Sequence, residues 1–257
     1  MPPRNARALG SKRFYQWGRE SFWSVTTIIS GGVPKPAIAP WTGKMVAEGA
    51  VTAFEKGSLA LLVEQDRDAA VEFLKKLPYT QTNRAADIGT RVHEAIEALV
   101  KGTPAPPLAE DEKPRMAHFE QFLADYRPKF IASEMSVYNR RHGYAGTLDG
   151  IALFGDRALM VDVKTGKGVY PEVGLQLSAY RNAEFIGMPD GTEEPMIETV
   201  GGVVLHLTDD GYRLLEVNTG DEVFAAFIYA REVQRWMNET SKRVIGESLP
   251  IPEQVTA

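Results

Sequence analysis

The sequence predicts an α/β fold: a mixed sheet of about four or five strands flanked by helices, with a helical portion ahead of it. Three observations carry this expectation. Two short apolar runs, Ile151–Phe154 and Ala158–Val163, flank Gly155-Asp156, a turn signal between strands. A helical stretch from Glu172 to Ile186 then leads to the apolar run Gly201–Leu207, which suits a right-handed parallel crossover. Upstream, apolar residues recur at helical spacing through much of residues 43–101.

In chain order, the segment to about Trp23 is basic and aromatic. It carries Arg4, Arg7, Lys12, Arg13 and Arg19 without an acid, among Phe14, Tyr15, Trp17, Phe22 and Trp23. It reads either as a platform that stacks unpaired bases or as an arm whose aromatics cap the core, and the second reading is favoured. The hydroxyls of Ser24-Val25-Thr26-Thr27 suit a helix cap or a phosphate contact. Pro34, Pro36 and Pro40 form a stiff connector to Trp41. Helices are expected over Gly43–Lys56, Asp66–Lys76 and about Arg84–Lys101. The last places Ile88, Val92, Ile96 and Leu99 on one stripe with His93 beside it.

Gly102–Pro114 is rich in proline and acid and reads as a surface loop; Arg115–Tyr126 reads as an amphipathic helix. Phe130–Tyr138 reads as a strand whose Glu134 is either a further acidic site residue or an exposed position. Gly201–Leu207 and Tyr212–Val217 flank Thr208-Asp209-Asp210-Gly211, a hairpin signal. Asp221–Glu239 reads as a closing helix that buries Val223, Phe227, Ala230, Val233 and Met237. The tail from Leu249, with two prolines, reads as loose. The expected division is a basic arm and helical portion over 1–83, a core over 84–248 and a tail over 249–257.

Bulk properties set limits. The chain has 257 residues and a formal net charge of −5, which argues against a passive nucleic-acid coat. Cationic groups are instead local, in the N-terminal segment and in the set Arg140, Arg141, Lys164 and Lys167. There is no cysteine, so disulfides and thiolate metal sites are excluded. No apolar run approaches the ~20 residues of a membrane span and no signal-peptide pattern opens the chain. No membrane partner is expected, and the expected compartment is the cytoplasm.

The chemistry concentrates between Gly146 and Tyr180. The second apolar run ends in Asp162-Val163-Lys164. Alternation along a strand puts Asp162 and Lys164 on one face and turns Val161 and Val163 to the other. Asp149, at the start of the partner strand, can sit beside them. Gly166 follows where the chain must turn, and Gln176 and Tyr180 lie four apart on one face of the next helix. The other triplet of this kind, Asp111-Glu112-Lys113, lies in a polar, proline-rich segment and reads as solvated.

These residues resemble the PD-(D/E)xK nuclease superfamily, in the branch related to the RecB nuclease domain. The elements stand in family order: His93 in Gly89-Thr90-Arg91-Val92-His93-Glu94, then Gly146-Thr147-Leu148-Asp149, Asp162-Val163-Lys164-Thr165-Gly166, and Gln176-Leu177-Ser178-Ala179-Tyr180. The match covers about Ala85 to Gly187. Ser24-Val25-Thr26 is similar to a stretch near the start of phage exonucleases of this branch and of the mitochondrial genome maintenance exonuclease. Several RecB-like nucleases, including CRISPR-associated ones, hold an iron–sulfur cluster through cysteines, which this chain lacks. The resemblance implies a restriction-endonuclease-like core and a metal-dependent DNA exonuclease acting on ends or single strands, in recombination, repair or replication. A structure-selective or restriction-type endonuclease, or a non-catalytic DNA-binding module, are the alternatives. It implies Mg2+ or Mn2+ held by His93, Asp149, Asp162 and the carbonyl of Val163, with the histidine favouring manganese. Lys164 is implied to orient or deprotonate the attacking water or to stabilise developing charge. Gln176 and Tyr180 are implied to orient water, Lys164 or a substrate phosphate.

Overall fold

The computed structural model describes residues 6–9 and 12–249, with the backbone but not the side chains of 7–9 and 81–85. The chain is mixed α/β. It begins with strands β1 (Ala6–Leu9), β2 (Lys12–Trp17) and β3 (Glu20–Ser24). Helices α1 (Val25–Gly32), α2 (Ile38–Glu55), α3 (Ser58–Gln65), α4 (Arg67–Lys101) and α5 (Lys113–Tyr126) follow. Next come β4 (Lys129–Asn139), β5 (Tyr144–Phe154), β6 (Arg157–Lys164) and α6 (Glu172–Arg181). The short strands β7 (Phe185–Gly187) and β8 (Glu193–Pro195), the hairpin β9 (Gly201–Leu207) and β10 (Tyr212–Val217), and α7 (Asp221–Asn238) complete the order.

Ten strands among the described residues form one sheet, about twice the number the sequence suggested. The difference comes from the N-terminal strands and from β7 and β8. Residues expected as an arm form a two-residue hairpin at Gly18-Arg19, with Gly18 at φ +55°, and β3 then pairs in parallel with β5 through Trp23–Tyr144 and Ser24–Ala145. Tyr15 and Phe22 are buried against Tyr138, so those aromatics cap the core. Arg4 and residues 250–257 of the expected tail lie outside the described residues.

The sheet forks at β5. One edge of β5 pairs with β4 along nearly its full length. The other edge pairs with β3 at Tyr144–Ala145 and with β6 only from Gly150 onward. Strand β6 continues in parallel to β9, as the crossover predicted, and β9 pairs with β10. Helices cover both faces. Val25 and Ile28 of α1, Leu177 of α6 and Phe227 of α7 pack with Met160 and Val204 on one side. Val92 and Ile96 of α4 and Phe119 and Phe122 of α5 pack with Val163 and Leu205 on the other.

Several expected boundaries move. Helix α4 is a single 35-residue element that continues through Pro78, where two helices were expected. Its start is fixed by Asp66, whose carboxylate accepts from the backbone N–H of Asp68 and Ala69. The expected boundary near residue 84 falls inside it. Helix α6 stops at Arg181, because Ile186 is drawn into β7 against Val137. In α7, Phe227, Ala230 and Gln234 form the buried stripe, and Val233 and Met237, 47% and 62% exposed, lie off it on the solvent side. Leu99 is exposed as well. The triplet Asp111-Glu112-Lys113 is not wholly solvated: Glu112 is fully buried, pairs with Arg91 and accepts from the backbone of Ala109. Among the described residues no helix is long and apolar enough to cross a membrane.

Candidate metal centre

From Gly146 to Asp149 the fork leaves one edge of β5 without a ladder partner among the described residues. Through this opening the α4 layer and the α6 layer, on opposite faces of the sheet, reach common groups. Asp149 ends the open stretch. Its Oδ2 accepts a hydrogen bond from the backbone N–H of Val163 at 2.7 Å and lies 3.7 Å from His93 Nδ1.

His93 comes from α4, and its Nε2 is 3.1 Å from the carbonyl oxygen of Val163. A carbonyl can only accept, so Nε2 carries the proton and donates. In the neutral ring Nδ1 then turns a lone pair toward the Asp149 carboxylate. The Val163 carbonyl, expected as a ligand, faces the histidine in this geometry and keeps a second lone pair.

Glu134 stands on β4 between the Ser133–Gly150 and Met135–Leu148 pairs, opposite Asp149. Its φ of +52° lies in the left-handed region that non-glycine residues seldom adopt. His93, Glu134 and Asp149 each offer one ligand atom, and these atoms lie within 4.8 Å of one another. Burial, with the carboxylates of Asp149 and Glu97 beside it, pushes the Glu134 carboxyl up to about 8. Of the two readings the sequence left open for Glu134, the structure places it in this group.

Asp162 and Lys164 share a face of β6, as alternation requires. Asp162 is only 2% exposed. Its Oδ1 accepts from Lys164 Nζ at 2.8 Å and from Gln176 Nε2 at 3.0 Å. Its Oδ2 lies 2.7 Å from the same ammonium, yet no donor is aligned on it to make a hydrogen bond. Burial and Asp149 push the Asp162 carboxyl above the usual range, against the pull of Lys164 and His93. Burial works against the charge on Lys164, but Asp162 and Asp149 outweigh it and raise its pKa, so the ammonium stays charged.

Gln176 and Tyr180 project from α6 on one face, with Gln176 Nε2 3.4 Å from Tyr180 Oη. Tyr180 is buried, which drives its phenol well above the ordinary range. Two glycines of the sequence elements serve close packing. A Cβ on Gly89 of α4 would come within 3.1 Å of Thr165 Oγ1, and one on Gly146 would strike the Tyr180 ring.

His93, Glu134, Asp149, Gln176 and Tyr180 line a cleft of about 1650 Å³ between the N-terminal hairpin, α4 and the sheet. It exceeds the ~300–1,000 Å³ of most small-molecule sites. Arg13 lines it too, as do Glu94, Glu97 and Lys101, the last paired with Glu97. Of the second basic set, Lys164 stands at the site, whereas Arg140 is held by Glu20 and Glu193 and lies over the Phe185 ring.

The donor set fits a divalent cation. One imidazole nitrogen and two carboxylate oxygens converge, and one buried oxygen of Asp162 lacks an aligned donor.

No protein-family model matches this chain, and no curated protein matches it. Among solved structures, that of SSO0001 is similar over 84% of this chain and 76% of its own, at 13% identity and a TM-score of 0.34. A likeness of that degree carries no argument here.

Proposed function

We propose that this chain is a metal-dependent DNA nuclease, an exonuclease acting on DNA ends or single strands, built on a restriction-endonuclease-like core. The observation that supports this best is the convergence of His93 and Asp149 with the Asp162–Lys164–Gln176 group at one fork in the sheet. These are the residues on which the sequence resemblance rests, brought together from α4, β5, β6 and α6. A pure binding module has no need of buried acids facing a polyanion.

In this reading His93, Asp149 and Asp162 hold Mg2+ or Mn2+. When bound, the cation supplies positive charge that offsets the charge building on a phosphodiester as it is attacked. The protein groups divide the remaining work. Lys164, kept charged by its carboxylates, stabilises negative charge on the reacting phosphate. Gln176 holds Asp162 in place through Oδ1, and Tyr180 backs Gln176 from one turn along. The Val163 carbonyl fixes the tautomer of His93.

The test is incubation of linear, circular and single-stranded DNA with Mg2+ or Mn2+. Loss of linear or single-stranded DNA with circles intact supports the exonuclease. Cutting of closed circles points to an endonuclease, and binding without cutting leaves the non-catalytic module.

A further inference from the structure

We propose that Glu134 is a further protein ligand, beside His93 Nδ1 and Asp149, of a divalent transition-type cation such as Mn2+. This rests on the metal-binding part of the reading above and deepens it. No sequence element of the resemblance contains Glu134.

The geometry carries the assignment. Glu134 belongs to a strand that neither the Asp149 nor the Asp162 element includes, yet its carboxylate, an oxygen of Asp149 and a ring nitrogen of His93 lie within 4.8 Å of one another. Ligand atoms around one small cation are about 3–4.4 Å apart when each bond is roughly 2.0–2.2 Å, so a small contraction closes the set. His93 Nδ1 and Asp149 Oδ2 face each other at 3.7 Å, a separation that one cation bonded to both would span.

Asp162 is buried, and its Oδ2, 2.7 Å from the Lys164 ammonium, has no aligned hydrogen-bond donor. Lys164 and Gln176 occupy the approaches to Asp162, whereas Glu134 lies on the cleft with His93 and Asp149. The three cleft-facing groups are therefore the first that an incoming cation meets.

Calorimetric titration of Mn2+ into the full chain tests this, with Glu134→Gln, Glu134→Gly, His93→Ala and Asp149→Asn alongside. Glu134→Gly guards against a folding artefact, because glycine accepts φ +52° without strain while removing the carboxylate. We expect one Mn2+ per wild-type chain. Both Glu134 variants should bind it more weakly by about tenfold or more, and the Mn2+-induced rise in melting temperature should shrink in step. Glu134→Gly should melt no lower than wild type without metal. If the Glu134 variants bind Mn2+ like wild type while His93→Ala and Asp149→Asn do not, Glu134 is not a ligand. Failure of the wild type to take up Mn2+ overturns the proposal too. DNA cleavage is scored separately: Glu134-dependent Mn2+ binding without cleavage sinks the nuclease reading and leaves this one standing, whereas cleavage with Mn2+ binding indifferent to Glu134 does the reverse.

Discussion

Gly146 lies directly beneath the ring of Tyr180: a Cβ built on Gly146 would stand 2.4 Å from Tyr180 Cε1 and 3.0 Å from its hydroxyl oxygen. The glycine three residues before Asp149 and the tyrosine four residues after Gln176 are thus one packing unit. The first removes a side chain so that the second can fill the space beside Asp162.

Gly146→Ala should therefore displace a buried ring that has little room to yield. Overpacking of this kind costs about 1–3 kcal/mol. Denaturant melts should show that loss, and it should be largely absent when Gly146→Ala is combined with Tyr180→Ala, since the two positions are coupled through one contact. Additive losses would mean that the ring is not what Gly146 accommodates.

How much of this was legible follows from how local each signal is. The shared face of Asp162 and Lys164 follows from alternation along one strand, and the shared face of Gln176 and Tyr180 from one helical turn. Both stand in the structure as read. Glu134 was ambiguous because its place in the group depends on a left-handed backbone angle inside β4, which no side-chain pattern announces. The three N-terminal strands were missed for another reason. Clustered aromatics and cations looked like a surface segment, although Gly18-Arg19 between Tyr15 and Phe22 carries a hairpin signal. Glu112 was misread because its burial depends on Arg91, 21 positions away, and on the Ala109 backbone.

Asp149 has two jobs that substitution can separate. Its Oδ2 accepts from the Val163 backbone, and the same oxygen faces His93. Asp149→Asn keeps a neutral oxygen for the N–H, so it should fold near normally while losing Mn2+ affinity. Asp149→Ala leaves that partly buried donor unpaired and should cost a further ~1–3 kcal/mol. Melting in chelator, beside metal titration, checks the split; equal stability of the two variants would deny the backbone role.

The pH dependence of the metal-free protein follows from Glu134. Its carboxyl is raised from 4.5 to about 8 by burial and by Asp149 and Glu97. For an acid raised in this way, the folded chain keeps a proton that the unfolded chain releases. Stability is then greatest at low pH and falls as pH rises across that window. In chelator, the melting temperature should decline between about pH 5 and 8, and Glu134→Gln should flatten the decline. Saturating Mn2+ should suppress it, because a bound cation favours the ionised carboxylate. A slope unchanged in Glu134→Gln would place its origin elsewhere.

Lys164 touches both oxygens of Asp162, at 2.8 and 2.7 Å, and those two carboxylate oxygens sit in a side chain that is 2% exposed. Removing the ammonium leaves Asp162 buried with only the Gln176 amide. Breaking one side of a buried pair costs about 3–5 kcal/mol. Lys164 is itself 36% exposed, so the lower end is expected. Lys164→Ala should therefore melt lower in chelator, and Mn2+ should recover part of the loss by taking over the neutralisation of Asp162. Its metal affinity should hold or rise, since a competing cation is gone. Cleavage should nevertheless fall by about 10²–10³-fold, the usual loss when one fixed charge-stabilising group is removed. Lys164→Arg should not restore the rate, because a planar guanidinium cannot occupy the place of a compact ammonium between two oxygens and the reacting phosphate. Single-turnover cleavage beside DNA binding in Ca2+ separates this role from that of an anchor: binding lost in proportion to cleavage would make Lys164 a phosphate contact and leave the chemistry to another group.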